Sequence, residues 1–248
     1  MSQFYFHLLC QDGAVKHVSI VIPAYEESEN LKILLPRIQE ISTGLINTKI
    51  EILVVLPNIS KDSEKLLVES YGARPIIRYP SNSFGDALRT GFSQVSPKSE
   101  FTLTIDADGS HNPDKIPDLI TIAENYDIVV SSRYVKGGST DNNHLLRTMS
   151  RILNLIYKII LGLDCNDIST NYKIYKTKDL KAINLICKDF DIVEEIFYKI
   201  HVLHDRKTRV YEIPDHFSNR NFGVTKRQLG PFIISYLITL IKLRFNVK

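Results

Sequence analysis

"FTLTIDADGSHNP" (101–113) is the stretch on which the fold turns. β-Favouring residues from Phe101 to Ile105 run straight into two aspartates one residue apart, Asp106 and Asp108, and then into a Ser-His-Asn-Pro turn. Paired acids do nothing for packing, but they suit a strand tip beside something cationic. Alternate residues of an extended chain point the same way, so both carboxylates converge on one point. Hard divalent cations such as Mg2+ and Mn2+ favour oxygen ligands, commonly one or two carboxylates with phosphate oxygens. Ser110, at the next alternate position, adds a hydroxyl or a water. Taken alone, an Asp-x-Asp pair is as readily a turn former or a helix cap.

Outward from this strand the chain alternates. Short apolar runs at 17–22, 49–56, 75–79, 101–105 and 127–132 read as strands. Helical spacing fills 30–41, 62–72, 84–95 and 114–125, with Pro36 expected to disturb the first of these helices locally. This alternation predicts an α/β fold with a doubly wound, mostly parallel sheet. Such sheets bind ligands beyond the carboxyl ends of their strands, where Asp106 and Asp108 stand. Past 132 the pattern changes to a polar loop (133–143) and a long amphipathic helix (145–163). A turn and strand (167–176), helical stretches near 177–187 and 191–203, a strand (208–214) and a polar loop (215–230) follow.

Composition sets limits. The chain has 248 residues, 44% hydrophobic and 24% charged, enough for a substantial core. Its net charge of +3 is unevenly spread. Residues 199–248 carry ten Lys/Arg against three acids, and the remainder is net negative. A basic end of this kind suits phosphate-bearing ligands or an anionic membrane face; no nucleic-acid partner is expected. Cys10, Cys165 and Cys187 have no close spacing, which argues against a disulfide frame or zinc site and fits a reducing cytosol. The start (1–13) lacks a basic leader and a cleavage site, and is not read as a signal peptide. The longest apolar run, 230–241, spans about 18 Å as a helix against about 30 Å for a bilayer core. It is expected to pack on the core or to lie along a membrane, not to cross one.

The first strand is followed by neither a G-x-x-x-x-G-K-[ST] loop nor a G-x-G-x-x-G turn, so the common NTPase and dinucleotide readings lose support. It ends instead in "PAYEESENL" (23–31), acids and a tyrosine at the sheet edge. "VSIVIPAYEESENL", "LTIDADGSHNPDKIPDLI" and "YDIVVSSRYVKGG", followed by "DISTNYKIY" (167–175) and "EIPDHFSNRNFGVTK" (212–226), stand in the order of five motifs of glycosyltransferase family 2. The chain resembles these inverting GT-A enzymes over about 17–240, above all the dolichyl-phosphate mannose synthases and related polyprenyl-phosphate sugar transferases.

The resemblance implies an N-terminal extension (1–16), a catalytic domain (17–228) and a C-terminal amphipathic basic helix (229–248). It implies transfer of a hexose, with inversion, from a GDP- or UDP-sugar to a polyprenyl phosphate, with Mg2+ or Mn2+. The enzyme would be peripheral to the cytoplasmic face of a membrane, with room for a membrane-embedded partner subunit. Pro23, Tyr25 and Glu27 would line the nucleoside pocket. Asp106 would approach ribose or metal, and Asp108 the metal, with Ala107 between them in the donor site. Arg220 and Lys226 would reach the diphosphate, and Arg133, helped by Arg147 or Arg151, the acceptor phosphate. Asp167 is either a general base for a hydroxyl acceptor or, for a phosphate acceptor, an organiser of the site. Glu194 and Glu195 are the other base candidates, one of them expected on an idle helix surface. Where relatives carry a D-D-G-S-type block, this chain has "VVLPNISKDS" (54–63), with Asn58 or Asp62 in place of the base-binding aspartate. Thr170, Asn171, Tyr172 and Lys173 also depart from the family pattern. Transfer to a glycan hydroxyl and a non-catalytic nucleotide-sugar-binding subunit are the alternatives.

Overall fold

Buried residues alternate sides along each strand of the main sheet. In β1 (Lys16–Pro23), Val18, Ile20 and Ile22 face one layer and Val21 the other. In β2 (Thr48–Leu56), Ile52, Val54 and Leu56 face the first layer while Leu53 and Val55 face the second. A sheet covered on both faces needs strands apolar at nearly every position, which is what these runs are. The computed structural model describes residues 15–223 and 229–245; Cys10, Lys226 and the rest of the first 14 residues lie outside them.

Seven strands form the sheet in the order β3-β2-β1-β4-β7-β5-β8, with β3 at Arg74–Ile77, β4 at Phe101–Thr104, β5 at Ile128–Ser132, β7 at Lys173–Lys176 and β8 at Val210–Pro214. All are parallel except β7, which lies antiparallel between β4 and β5. Its register sets Lys173 opposite Thr104 and Val130. The chain that precedes β7 therefore reaches the same sheet edge as the carboxyl ends of the other six strands. A second, two-stranded parallel pair joins β6 (Ser139–Thr140) to β9 (His216–Phe217). Both segments read as loop in the sequence, because two residues are too few to show a period.

One layer is α1 (Ser28–Gly44), α2 (Asp62–Ser70) and α4 (Ile116–Ala123); the other is α3 (Phe84–Gln94), α5 (His144–Leu161), α6 (Thr177–Ala182), α7 (Ile192–Leu203) and α8 (Leu229–Phe245). α1 runs unbroken through Pro36, because Leu31, Leu34, Leu35 and Ile38 anchor it to the core on either side. α3 lies so close to the sheet that a Cβ on Gly91 would stand 2.4 Å from Val21 Cγ1. α5 begins at an Asn143 cap whose side chain accepts the Leu146 amide at 2.9 Å.

Two expectations need correction. The helix expected over 177–187 stops at Ala182. Residues after it are irregular because the Glu195 carboxylate takes the Ile186 and Cys187 amides, at 2.9 and 2.8 Å, out of any helical ladder. Neither Glu194 nor Glu195 is idle on a helix surface: both are fully buried. α8 packs Tyr236, Leu240 and Leu243 inward but leaves Leu237, Ile238, Ile241 and Phe245 exposed, so its outer face is apolar as well. No helix among the described residues is long and apolar enough to cross a membrane.

Candidate active site

The pleat turns Asp106 and Asp108 outward at the tip of β4 and buries the Ala107 methyl in the core between them. Ser110 is buried; its hydroxyl and amide both donate to Asp108 Oδ1, at 2.6 and 3.0 Å. Ser110 thus orients Asp108. Asp106 is held from the other side: Asn171 Nδ2 donates to its Oδ1 at 2.9 Å, and His111 Nε2 lies 3.3 Å from its Oδ2. His111 is itself fixed between the Tyr172 and Phe217 rings, centroids 5.1 and 5.2 Å away.

Two chain segments far apart in sequence meet at this tip. The loop after β9 folds back so that the Ser218 and Asn221 amides donate to the Ser110 and Asp108 carbonyls at 2.9 and 3.1 Å. Asn221 fills the space a side chain on Gly109 would need, and Gly109 adopts φ +77°. The same loop carries Arg220 to Glu27, Nη2 to Oε1 at 2.5 Å, and its Nε to the Phe222 carbonyl at 2.8 Å. Asn30 completes the junction: it bonds Glu27 and accepts the Phe222 amide at 3.1 Å. The first and last motifs of the sequence therefore meet through Glu27 and Arg220. Lys226 falls outside the described residues.

The edge formed by the ends of β1 and β2 has a member that sequence reasoning missed. Arg78, just beyond β3, is 5% exposed, and its guanidinium donates to the Ala24 carbonyl, to Val55 O at 3.0 Å and to Asn82 O at 3.1 Å. It clamps the ends of β1 and β2 to the following loop and lies 5.7 Å from the Tyr25 ring. Burial draws its pKa down to about 10. Pro23, the last residue of β1, pairs with Val55 beside it. Asn58 and Asn82 bond reciprocally, amide to Oδ1 at 3.0 Å and Nδ2 to Oδ1 at 2.6 Å, which fixes the altered stretch after β2. Nothing local in "IIRYP" marks Arg78; only the packing reveals it.

On the opposite wall half-buried Arg133 and fully buried Asp167 form a bidentate pair, Nε to Oδ2 at 2.8 Å and Nη2 to Oδ1 at 2.6 Å, with the Arg133 amide on Oδ2 at 2.9 Å. Burial works against the Arg133 charge, but Asp167 outweighs it and holds the pKa above the ordinary arginine value. Glu212, also missed, accepts the Asp167 and Asn166 amides at 3.1 and 2.9 Å and the Ser132 hydroxyl at 2.7 Å. Lys173, fully buried, anchors the same loop through the Ile168 carbonyl at 2.8 Å and the Thr170 carbonyl. Burial lowers its pKa to about 8. Arg133 and Arg151 flank one ring, Tyr134, at 4.9 and 5.3 Å from its centroid. Arg147 lies one helical turn before Arg151. Glu195 holds the loop after α6, and Glu194 is buried on α7.

The residues at the strand tip fit a hard divalent cation. They offer two carboxylates, and none of the described residues hydrogen-bonds Asp108 Oδ2. Among the described residues no group of three or more His, Cys, Asp or Glu could hold a metal. The cation would need further oxygens, as a diphosphate supplies.

Comparison with known proteins identifies the family and the fold. The model of "Glycosyl transferase family 2" matches residues 19–183. The chain is 29% identical over 224 residues to an undecaprenyl-phosphate mannosyltransferase of Micrococcus luteus, covering 86% of this chain and 88% of that one. It is 30% identical over 233 residues to a dolichol-phosphate mannosyltransferase of Pyrococcus furiosus, covering 91% of this chain and 63% of the relative. An undecaprenyl-phosphate 4-deoxy-4-formamido-L-arabinose transferase of Yersinia enterocolitica is 30% identical over 231 residues, 91% of this chain and 67% of that one. Among solved structures, glucosyl-3-phosphoglycerate synthase of Mycobacterium tuberculosis, crystallised with Mn2+ and UDP, shares the fold with a TM-score of 0.68. That match covers 94% of this chain and 81% of the other at 16% identity. The chain belongs to glycosyltransferase family 2 and is a glycosyltransferase of the GT-A fold.

Proposed function

We propose that the chain transfers a hexose, with inversion, from a GDP- or UDP-sugar to a polyprenyl phosphate. The observation that carries this reading is the state of Asp167. A hydroxyl acceptor needs a general base, yet both Asp167 oxygens are engaged by Arg133. Glu194 and Glu195 are buried elsewhere. An acceptor phosphate needs no deprotonation, because it is already an anionic nucleophile. The acceptors named for the Micrococcus and Pyrococcus relatives support the same choice.

In this reaction an acceptor phosphate oxygen forms a bond to the anomeric carbon from the face opposite the leaving group. The bond from that carbon to the diphosphate oxygen breaks, and its electron pair leaves with the nucleoside diphosphate. Asp106 and Asp108 would hold Mg2+ or Mn2+, which when bound offsets the negative charge gathering on the leaving diphosphate. Arg220, swung from Glu27, supplies a cation to the same diphosphate. Arg133, locked by Asp167, and Arg151, stacked across Tyr134, hold the acceptor phosphate; planar guanidinium forks suit that geometry. Tyr25 and the Arg78-braced tips of β1 and β2 form the nucleoside side. A lipid acceptor places the enzyme peripherally at a membrane surface, on the cytoplasmic face reached by nucleotide sugars.

The test supplies radiolabelled GDP- or UDP-hexose with Mn2+, and offers a polyprenyl phosphate and an oligosaccharide primer in parallel. Label is expected in the organic phase as a mild-acid-labile phosphodiester. Label confined to the primer, or no transfer to either acceptor, overturns the proposal.

A further inference from the structure

A lysine ammonium is costly to bury, and a methionine of similar length would fill the same space without that cost. Lys173 is nevertheless fully buried in the middle of the main sheet, at the start of β7. Burial disfavours its charge, while the carboxylates of Glu194 on α7 and of Asp167 favour it. Packing gives no reason for an ammonium here. Its hydrogen bonds do: Nζ donates to the Ile168 and Thr170 carbonyls, both in the short turn before β7.

That turn joins the two sides of the site. At one end Asp167 holds Arg133 by their bidentate pair; at the other Asn171 Nδ2 donates to Asp106 Oδ1. The residues between are held as well. The Ser169 hydroxyl accepts Arg133 Nη2 at 3.0 Å, and the Ser169 amide donates to Asn154 Oδ1 on α5 at 3.1 Å. The Asn171 carbonyl accepts the hydroxyl of Thr104, the last residue of β4, which lies opposite Lys173 in register. Segment 167–171 is thus a strut. Its ends touch Arg133 and Asp106, and one buried ammonium ties its middle to β7. Without that ammonium the Ile168 and Thr170 carbonyls lose a charged donor in a buried place.

We propose that Lys173 is a positioning residue for sugar transfer: through the 167–171 strut it sets where Asp106 stands relative to Arg133. On the proposed reaction these two residues face the donor and the acceptor. The strut then fixes the gap across which the anomeric carbon meets its nucleophile. A misplacement of about 1 Å costs about 100-fold in rate, while each substrate keeps its own contacts. The roles of Asp106 and Arg133 rest on the function proposed above; the strut itself does not.

The experiment measures steady-state transfer from the sugar nucleotide, with Mn2+, for the full chain and for Lys173→Met, Asn171→Ala and the double variant. Lys173→Met is expected to lower kcat at least about thirty-fold with both KM values within about three-fold of wild type. Asn171→Ala, which loosens one end of the strut, is expected to lower kcat about ten-fold. The double variant is expected to fall no more than about three-fold below Lys173→Met, because both act through one strut. An unchanged kcat in Lys173→Met, a loss confined to KM, or effects that multiply overturn the proposal. Exchange at the Arg133 amide, which donates to Asp167 Oδ2, needs no turnover. It is expected to quicken at least about ten-fold in Lys173→Met, and unchanged protection also overturns the proposal. Lys173→Met/Glu194→Gln, which leaves no unmatched carboxylate on α7, replaces Lys173→Met where the single variant does not fold. Wild-type transfer to the oligosaccharide primer alone overturns the proposed acceptor; the same variants measured on the primer then test the strut.

Discussion

At the scale of single residues, the site is built from side chains that hold one another. Asp108 is the clearest case: one oxygen is fixed by Ser110, and the other accepts no hydrogen bond from the described residues. Asp108→Asn keeps an acceptor for Ser110 and removes only the charge. On the proposed reaction it should cut turnover by at least about a hundred-fold, about 3 kcal/mol of transition-state stabilisation. The melting temperature should move by no more than about 3 °C. Single-turnover rates and a thermal melt check this; turnover within ten-fold of wild type would remove Asp108 from donor handling. Arg133→Ala is a poorer probe, because it strands the Asp167 charge in a buried site. The Asp-x-Asp pair was legible in sequence because a pleated strand has a fixed period. Arg78 and Glu212 were not, because their partners are backbone groups brought together only by folding.

At the scale of elements, one buried carboxylate replaces a helix. Glu195 accepts two backbone amides and the Lys199 ammonium, the last at 2.7 Å, and so shapes the segment between α6 and α7. That segment supports α3, since the Gly85 amide donates to the Lys188 carbonyl at 2.7 Å and Arg89 to the Cys187 carbonyl at 2.5 Å. Glu195→Gln retains the shape but loses the charge and one acceptor. It should cost about 1–3 kcal/mol and accelerate hydrogen exchange at the Ile186 and Cys187 amides. Unchanged protection at those two amides would deny Glu195 its role. Periodicity located α7 correctly but not this role, since a glutamate on a helix reads as a surface charge until its burial is seen.

At the scale of the whole molecule, buried acids set a limit in acid. Burial alone would raise the Asp127 carboxyl. Hydrogen bonds from Lys176 and from the Arg209 backbone and side chain outweigh it and bring the pKa down to about 2. Asp86 is likewise opposed by burial but lowered to about 2 by Ser81, Arg89 and Ser83. Both pKa values fall on folding, so the stability they confer is present above about pH 4 and is lost as pH drops toward 2. Each contributes about 2 kcal/mol by this linkage. Urea unfolding at pH 6, 4 and 3 should show this decline, and Asp127→Asn should flatten it while lowering stability at pH 6. A slope unaltered by the substitution would contradict the assignment. By itself the sequence determined the α/β order and the place of Asp106 and Asp108 just past the end of β4, because strand and helix periods are local properties of the chain. Only the tertiary structure decided that β7 runs antiparallel between β4 and β5, that Glu27 meets Arg220, and that Asp167 belongs to Arg133. Those pairings join residues 34 to 193 positions apart, and no local pattern encodes which distant partner a buried charge will find.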